Sequence, residues 1–254
     1  LPVGVYAYEV ESEGNVKATK VSTNLTIVPA KVKITIDPYK EYYGSTKNVM
    51  IHVVNSENEP VSNTIVRLDI AEVGTYYMYT NASGIAQISL YSKETKKGLV
   101  GGDYKFTASN NDTKNIVNTS AKATVTILKI PVVINAKDVS VYYDSYSYTI
   151  KVTKDGKAVS GVYLIVRIYT TSSKYEDYLF QTNSKGTVSI GAPLDVGKHK
   201  IIINSADNRY EAKQVTKTIT VKKASATIKA PKVTDYYKGT KTFKIKLVNS
   251  KNKK

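Results

Sequence analysis

The chain has no cysteine and no tryptophan, and only 3 phenylalanines, 2 methionines and 2 histidines among its 254 residues. Without cysteine there is no disulfide framework, no thiolate metal site and no thiol nucleophile, and the redox compartment is left open. No apolar stretch approaches the roughly 18 to 20 residues of a membrane-spanning helix. The longest apolar run, Val162 to Ile168, is broken by Arg167, so this segment is expected to hold no membrane span. Leu1 is not a methionine and already sits in a strand pattern, so the sequence reads as a window on a longer polypeptide, with no signal peptide inside the window.

Catalytic chemistry is equally thin. A catalytic histidine needs a nucleophile or an orienting carboxylate within hydrogen-bond reach. His52 lies between Met50 and Val54 with no acid at a spacing that would orient it, and His199 falls where other copies of the pattern place Tyr6 and Tyr104. His199 therefore reads as the filler of an aromatic slot. The 21 acids are scattered, no pair recurs between copies as a glycosidase couple would, and there is no Asp-x-Asp-x-Asp-Gly calcium loop. Asn110-Asn111-Asp112 and Asp207-Asn208 occupy equivalent loops and read as solvated turns. The expectation is a non-enzyme with no cofactor and no metal.

What the chain does have is repetition, the first thing to look for in such a sequence. Tyr42-Tyr43-Gly44-Ser45 recurs as Tyr142-Tyr143-Asp144-Ser145 and again as Tyr236-Tyr237-Lys238-Gly239. Pro60-Val61-Ser62-Asn63 matches Ala158-Val159-Ser160-Gly161, and Thr80-Asn81-Ala82-Ser83-Gly84 matches Thr182-Asn183-Ser184-Lys185-Gly186. Gly4, Gly102 and Gly197 each open a Gly-x-Tyr or Gly-x-His strand. Between the motifs, apolar and polar residues alternate with period two, as in Ala121, Ala123, Val125 and Ile127 against Lys122, Thr124 and Thr126. The alternation predicts seven strands per repeat: 32–36, 48–54, 64–70, 75–80, 85–90, 103–109 and 121–128. Such strands, separated by Asn, Gly and Asp-Gly turns, predict an all-β fold of tandem antiparallel immunoglobulin-like sandwiches. The expected organisation is the closing strands of a preceding repeat at 1–30, full repeats at 31–129 and 130–223, and the opening strands of a following repeat at 224–254. Junctions as short as Lys129-Ile130-Pro131 and Lys222-Lys223-Ala224 predict an extended, semi-rigid rod.

The Pro60-Val61-Ser62 turn, the Thr80-Asn81-x-x-Gly84 lead and Gly102-Asp103-Tyr104 resemble the bacterial immunoglobulin-like repeats of invasin-type and intimin-type surface proteins. The Tyr-Tyr-x-Gly motif and the Lys, Asn, Ile and Tyr bias resemble most the repeats of adhesin-like proteins of gut methanogenic archaea. The resemblance covers the whole chain and implies a long extracellular cell-surface protein whose tandem sandwiches project a head or build a fibre. The lectin-like tip that gives invasin-type proteins their receptor binding is not recognisable, so receptor recognition is not implied.

A net charge of +16 invites a nucleic-acid reading. The lysines, however, alternate with apolar residues along strands, as at Lys151, Lys200 and Lys222, which is the pattern of solvated faces and guarded edges. Tyr76, Tyr77, Tyr79, Tyr175 and Tyr178 offer either a sugar-stacking platform or ordinary cross-strand pairs. Asn24, Asn81, Asn111 and Asn118 head Asn-x-Ser/Thr sequons and are the candidate N-glycosylation sites. No asparagine lies between Val215 and Lys222, so a Lys–Asn cross-link shared by both repeats is not expected. The functional expectation is a non-enzymatic stalk or fibre segment of an adhesin-like surface protein. The alternative is a module whose basic, tyrosine-rich face binds glycan or cell wall. Expected partners are neighbouring repeats, wall or partner-cell glycans or proteins, and lateral or fibre self-assembly, with no specific nucleic acid.

Overall fold

The structure, a computed structural model, describes residues 1–15, 19–93, 97–143, 147–191 and 194–249. Asp144 and Ser145 of the second Tyr-Tyr motif lie outside the described residues. The chain divides into two compact units, Leu1–Lys129 and Ile130–Lys254, and every regular element among the described residues is a strand.

In the first unit, a hairpin of β1 (Gly4–Val10) and β2 (Val21–Ile27) precedes β3 (Val32–Ile36), β4 (Tyr39–Tyr42), β5 (Asn48–Asn55), β6 (Ile65–Ile70), β7 (Gly74–Tyr79) and β8 (Ile85–Ser89). The short pair β9 (Tyr91–Ser92) and β10 (Lys97–Gly98) leads to β11 (Gly102–Asn110) and β12 (Ser120–Leu128). Sheets β3-β5-β8 and β4-β12-β11-β6-β7 form a sandwich. Its core includes Ile51, Leu68 and Phe106.

The second unit repeats this with β13 (Ile130–Pro131), β14 (Val133–Asn135), β15 (Val139–Tyr142), β16 (Tyr148–Lys154), β17 (Lys157–Ala158), β18 (Tyr163–Tyr169) and β19 (Tyr175–Gln181). There follow β20 (Thr187–Ile190), β21 (Gly197–Ser205), β22 (Tyr210–Glu211), β23 (Val215–Lys222) and a final hairpin of β24 (Ala226–Lys229) and β25 (Lys246–Asn249). Here β16 carries β14, β17 and β20, facing the sheet β15-β23-β21-β18-β19. Ile150, Leu164 and Ile203 are fully buried between them.

Alternation builds both cores. Along β16, Tyr148, Ile150 and Val152 point inward while Thr149 and Lys151 face solvent, so one strand supplies a core wall and a soluble face together. The architecture is that of immunoglobulin-like sandwiches. One strand that the alternation does not reveal is added at the edge. After pairing antiparallel with β5, the first strand breaks at Asp37-Pro38 and continues as β4, which lies parallel to the last strand β12. In the second unit β14 and β15 make the same change of sheet, and β15 lies parallel to β23.

The Tyr-Tyr motif ends that added strand. Tyr43 N donates to Leu128 O at 2.8 Å and Tyr143 N to Lys222 O at 2.8 Å, closing the two ladders. The third copy serves as an internal control. Tyr236 and Tyr237 are 88% and 93% exposed and form no strand. The turn nevertheless persists, with Gly239 N donating to Tyr236 O at 2.8 Å as Ser45 N does to Tyr42 O at 3.0 Å. The turn is thus local, whereas the strand needs a partner ladder to satisfy its backbone groups.

Candidate functional site

Two of the repeated motifs, Val-Ser and Thr-Asn-x-x-Gly, meet in one cluster per unit, a lock around a buried threonine. Thr80 and Thr182 are each 4% exposed. Thr80 Oγ1 donates to Val61 O at 2.7 Å and accepts from Thr64 N at 3.0 Å. Thr182 Oγ1 donates to Val159 O at 2.8 Å and accepts from Val162 N at 3.0 Å. The next residue caps the turn, since Asn81 Oδ1 accepts from Ser83 N and Ile85 N, and Asn183 Oδ1 from Lys185 N and Thr187 N. Gly84 and Gly186 then run at φ +69° and +68°, and a Cβ there would stand 2.5 Å from Val53 O or 2.8 Å from Val152 O. Only glycine combines that left-handed backbone with that approach. Both threonine hydroxyls and both asparagine carbonyl oxygens of the locks are thus bonded to backbone.

The aromatic slot behaves similarly. Tyr6 and Tyr104 hydroxyls donate to the carbonyls four residues upstream, Pro2 O at 2.7 Å and Val100 O at 3.0 Å. His199, 4% exposed, places Nε2 2.7 Å from Asp195 O, also four residues upstream, and Nδ1 3.0 Å from Tyr169 O. Its ring replaces the phenol and clamps the same corner. The N-terminal hairpin keeps the register of the complete units, Tyr6 facing Leu25 as Tyr104 faces Val125 and His199 faces Ile219.

Two sequence expectations need correction. His52 does have an acid beside it: Nε2 lies 3.1 Å from Asp37 Oδ2. Register explains this, because Thr35 faces His52 and places Asp37 diagonally across the sheet, a distance of 15 in sequence. The pair lies at the surface. Asp207 is not in a solvated turn either. Its side chain is 1% exposed and accepts from Arg209 Nη2 at 2.7 Å, Arg209 Nε at 3.0 Å, Arg209 N at 2.7 Å and Tyr163 N at 3.1 Å. Arg209 Nη2 also donates to Gly161 O at 2.6 Å, so the clasp ties this loop to the start of β18. Burial works to raise the carboxyl pKa, but the Arg209 and backbone hydrogen bonds outweigh it and hold Asp207 below the usual carboxylate range.

The signal for this clasp was arginine itself. The sequence contains only Arg67, Arg167 and Arg209, and each is bonded to an aspartate: Asp69 at 3.0 Å, Asp177 at 2.8 Å and Asp207 at 2.7 Å. Hydrogen bonds from Arg167 keep Asp177 low, and those from Thr75 and Arg67 do the same for Asp69. The residues best shaped for bidentate phosphate recognition are therefore already engaged. Excess charge is left to lysines, and Lys151, Lys200 and Lys222 are exposed.

The tyrosines divide by face. Tyr77, Tyr79 and Tyr175 are exposed outward, whereas Tyr178 packs against the core beside Phe180, 6.1 Å between centroids. Tyr76 lies on the core side opposite Leu68, at the sandwich rim. Tyr175 faces Tyr169 across the strands, and the Arg167 guanidinium covers its ring at 3.8 Å. Tyr175 is thus engaged in a cross-strand pair. Asn24, Asn81, Asn111 and Asn118 are all exposed, and Asn111 and Asn118 lie in the one loop that joins β11 to β12. Asn81 shares its turn role with Asn183, which heads no sequon. No group of three or more potential metal ligands and no helix long and apolar enough to cross a membrane occurs among the described residues.

No protein-family model and no curated protein matches the chain. Among solved structures it is similar to the Yersinia pseudotuberculosis adhesin InvE, at TM-score 0.42 and 16% identity, over 74% of this chain and 58% of that one. It is also similar to a tetra-tandem repeat from the extending region of a large adhesion protein, at TM-score 0.40 and 16% identity, over 90% and 59%. A third likeness is to invasin, described as a bacterial integrin-binding protein, at TM-score 0.39 and 16% identity over 78% and 42%. The alignment thus spans less than two thirds of each of these structures.

Proposed function

We propose that this chain is a non-enzymatic, load-bearing stalk segment of an adhesin-like protein on a cell surface. The observation that carries the reading is the parallel pairing of first and last strands, β4 with β12 and β15 with β23. Tension applied through a tandem chain pulls the entering strand and the leaving strand of each sandwich in opposite directions along their axes. A parallel pair meets that tension in shear, so its ladder bonds are loaded together instead of opening one at a time. The turn locks, corner clamps and ion pairs described above are all structural, which agrees with a role in strength and reach.

On this reading β1–β2 is built as the closing strands of one repeat (1–30), 31–129 and 130–223 are complete repeats, and β24–β25 with the exposed third Tyr-Tyr motif (224–254) is built as opening strands. The repeats string into an extracellular rod of the kind the resemblance to archaeal adhesin-like proteins implies. Asn24, Asn81, Asn111 and Asn118 are its N-glycan acceptors. An intact-mass spectrum of native material equal to the bare sequence contradicts that assignment.

The stalk reading is tested by offering the purified chain a broad glycan array and immobilised polyanions at low and high salt. Only weak retention that salt abolishes is expected. Saturable, salt-resistant glycan binding confined to one repeat would replace the stalk with a binding module.

A further inference from the structure

The larger sheet of each sandwich ends on an edge strand, β7 in the first unit and β19 in the second, and among the described residues each pairs with a single neighbour, β6 or β18. The two edges differ in how they are guarded. Sheets commonly blunt such edges with charges, prolines or bulges, because a row of unpaired backbone groups is a template for another strand. β19 carries Glu176 and Asp177. β7, Gly-Thr-Tyr-Tyr-Met-Tyr, carries neither charge nor proline, and its pairing with β6 runs without a bulge from Gly74 to Tyr79.

Register shows which groups this edge offers. Thr80 N donates to Thr64 O at 3.0 Å, so the even residues of the strand turn their backbone groups to β6. By two-residue alternation, Thr75, Tyr77 and Tyr79 turn theirs to the open edge. The Tyr77 and Tyr79 side chains lie on the outer face, 62% and 65% exposed, while Tyr76 and Met78 lie on the core face opposite Leu68 and Val66. Both ends of the strand are fixed, one by the turn in which Val73 N donates to Ile70 O at 3.1 Å and the other by the Thr80 lock. The edge is therefore already extended, and little ordering is left for a partner to impose.

We propose that β7 pairs antiparallel with β7 of a second copy of this chain, about a two-fold axis at Tyr77, joining the larger sheets of two first sandwiches into one. The strand is complementary to itself. With Tyr77 opposite the partner's Tyr77, Thr75 stands opposite the partner's Tyr79 and Tyr79 opposite the partner's Thr75. Each outward N–H then meets an outward C=O, and none of the three residues is left over. The same register sets ring against ring on the outer face and Tyr76 beside the partner's Met78 on the other. Charge selects this place for a second copy. Chains of +16 repel one another, but the hairpin from Ile65 to Tyr79 has a single cation, Arg67, which Asp69 already holds at 3.0 Å. Approach along this edge sets no cation directly against a cation. The pairing is independent of the stalk reading, which a strictly monomeric chain would leave intact.

Sedimentation equilibrium of the whole chain, carried to about 1 mM, tests the pairing. A monomer–dimer equilibrium is expected, and added salt should tighten it by screening the repulsion between two basic chains. Tyr77→Lys, which sets two ammonium groups face to face at the axis, is expected to weaken the dimer by about tenfold or more. Tyr77→Pro removes an outward N–H and no bond to β6, and is expected to weaken it as well. Leu179 of β19 stands three residues before Thr182, as Tyr77 stands before Thr80, and Leu179→Lys is expected to leave the dimer unchanged. Circular dichroism melts verify that the variants fold, and Tyr79→Lys stands in for a Tyr77 variant that does not. A chain that stays monomeric overturns the proposal. So does a dimer that the Tyr77 variants leave unchanged, one that Leu179→Lys weakens as much, or one that salt dissociates.

Discussion

The two sandwiches fill one core slot from opposite walls. In the first, Tyr39 on β4 is 5% exposed, faces Val125 across the ladder, and its hydroxyl donates to Lys47 O at 3.1 Å, while β5 contributes Val49. In the second, the residue facing Ile219 is Val139, and the tyrosine comes from β16 instead: Tyr148, 1% exposed, donates to Lys137 O at 2.9 Å. Register makes Val49 and Tyr148 equivalent, since they face Ile88 and Ile190. What is kept is a volume with a satisfied hydroxyl, not a residue at a position. The loops before the last strand differ in the same way. Asp112 is held by Asn115, whose amide donates at 2.8 Å, whereas its counterpart Asp207 is buried against Arg209. One fold thus tolerates a neutral and an ionic solution at the same turn.

The sharpest way to break that comparison is to remove the ionic partner. Arg209→Ala leaves Asp207 buried and unpaired, and is expected to destabilise the second unit by about 3 kcal/mol. Asn115→Ala is expected to cost the first unit only about 1 kcal/mol. Urea titration of each variant measures the difference, and equal losses would show the two loops to be energetically alike. The Asp207 carboxyl is held below its unfolded value, so its contribution is present at neutral pH and is lost as pH falls below ~4. Arg209→Ala should blunt that acid loss.

The exchanged tyrosine comes next. Tyr148→Val is expected to cost about 3 kcal/mol through the cavity it leaves, and Val139→Tyr alone roughly 1 to 3 through overpacking. Combined, they transplant the arrangement of the first unit and should recover all but about 1 kcal/mol. Simple additivity in the double mutant would refute the shared-slot reading. A smaller effect belongs to the locks, which do not differ between units. Thr80→Val and Thr182→Val should each cost about 2 kcal/mol, and a marked inequality would mean the two locks are not equivalent.

Alkaline pH tests the phenols. Burial, with Asp138 nearby, pushes Tyr148 up to about 12, and burial raises Tyr39 as well. A raised folded pKa gives stability that is intact below ~10 and lost as pH climbs through the folded value. Tyr148→Phe should flatten that loss in the second unit, and an unaltered pH profile would count against it. Outward Tyr77→Ala should change stability by less than about 0.5 kcal/mol.

Much of this architecture is legible because alternation is a local signal. Strands at 32–36, 48–54 and 121–128 are expected from sequence, and the structure gives Val32–Ile36, Asn48–Asn55 and Ser120–Leu128. The strand Tyr39–Tyr42 is not legible in that way. Its Lys40 and Glu41 follow Pro38 like a loop, and it exists only through a partner more than 80 residues away. The unpaired third copy makes the same point from the other side. Asp37 beside His52 and Arg209 around Asp207 were hidden for related reasons, register in one case and burial in the other. The locks were visible as motifs, and contact geometry assigns their atoms to backbone.

Pulling single molecules by their ends tests the central claim, that parallel first and last strands make each sandwich a shear-loaded element. The account predicts two separate high-force events per chain, each releasing about 30 nm, the gain expected for one repeat extending at ~3.5 Å per residue. Val141→Pro, which removes one bond of the β15–β23 ladder, should lower the force of one event and leave the other unchanged. Extension without force peaks, or two peaks both indifferent to Val141→Pro, would contradict it.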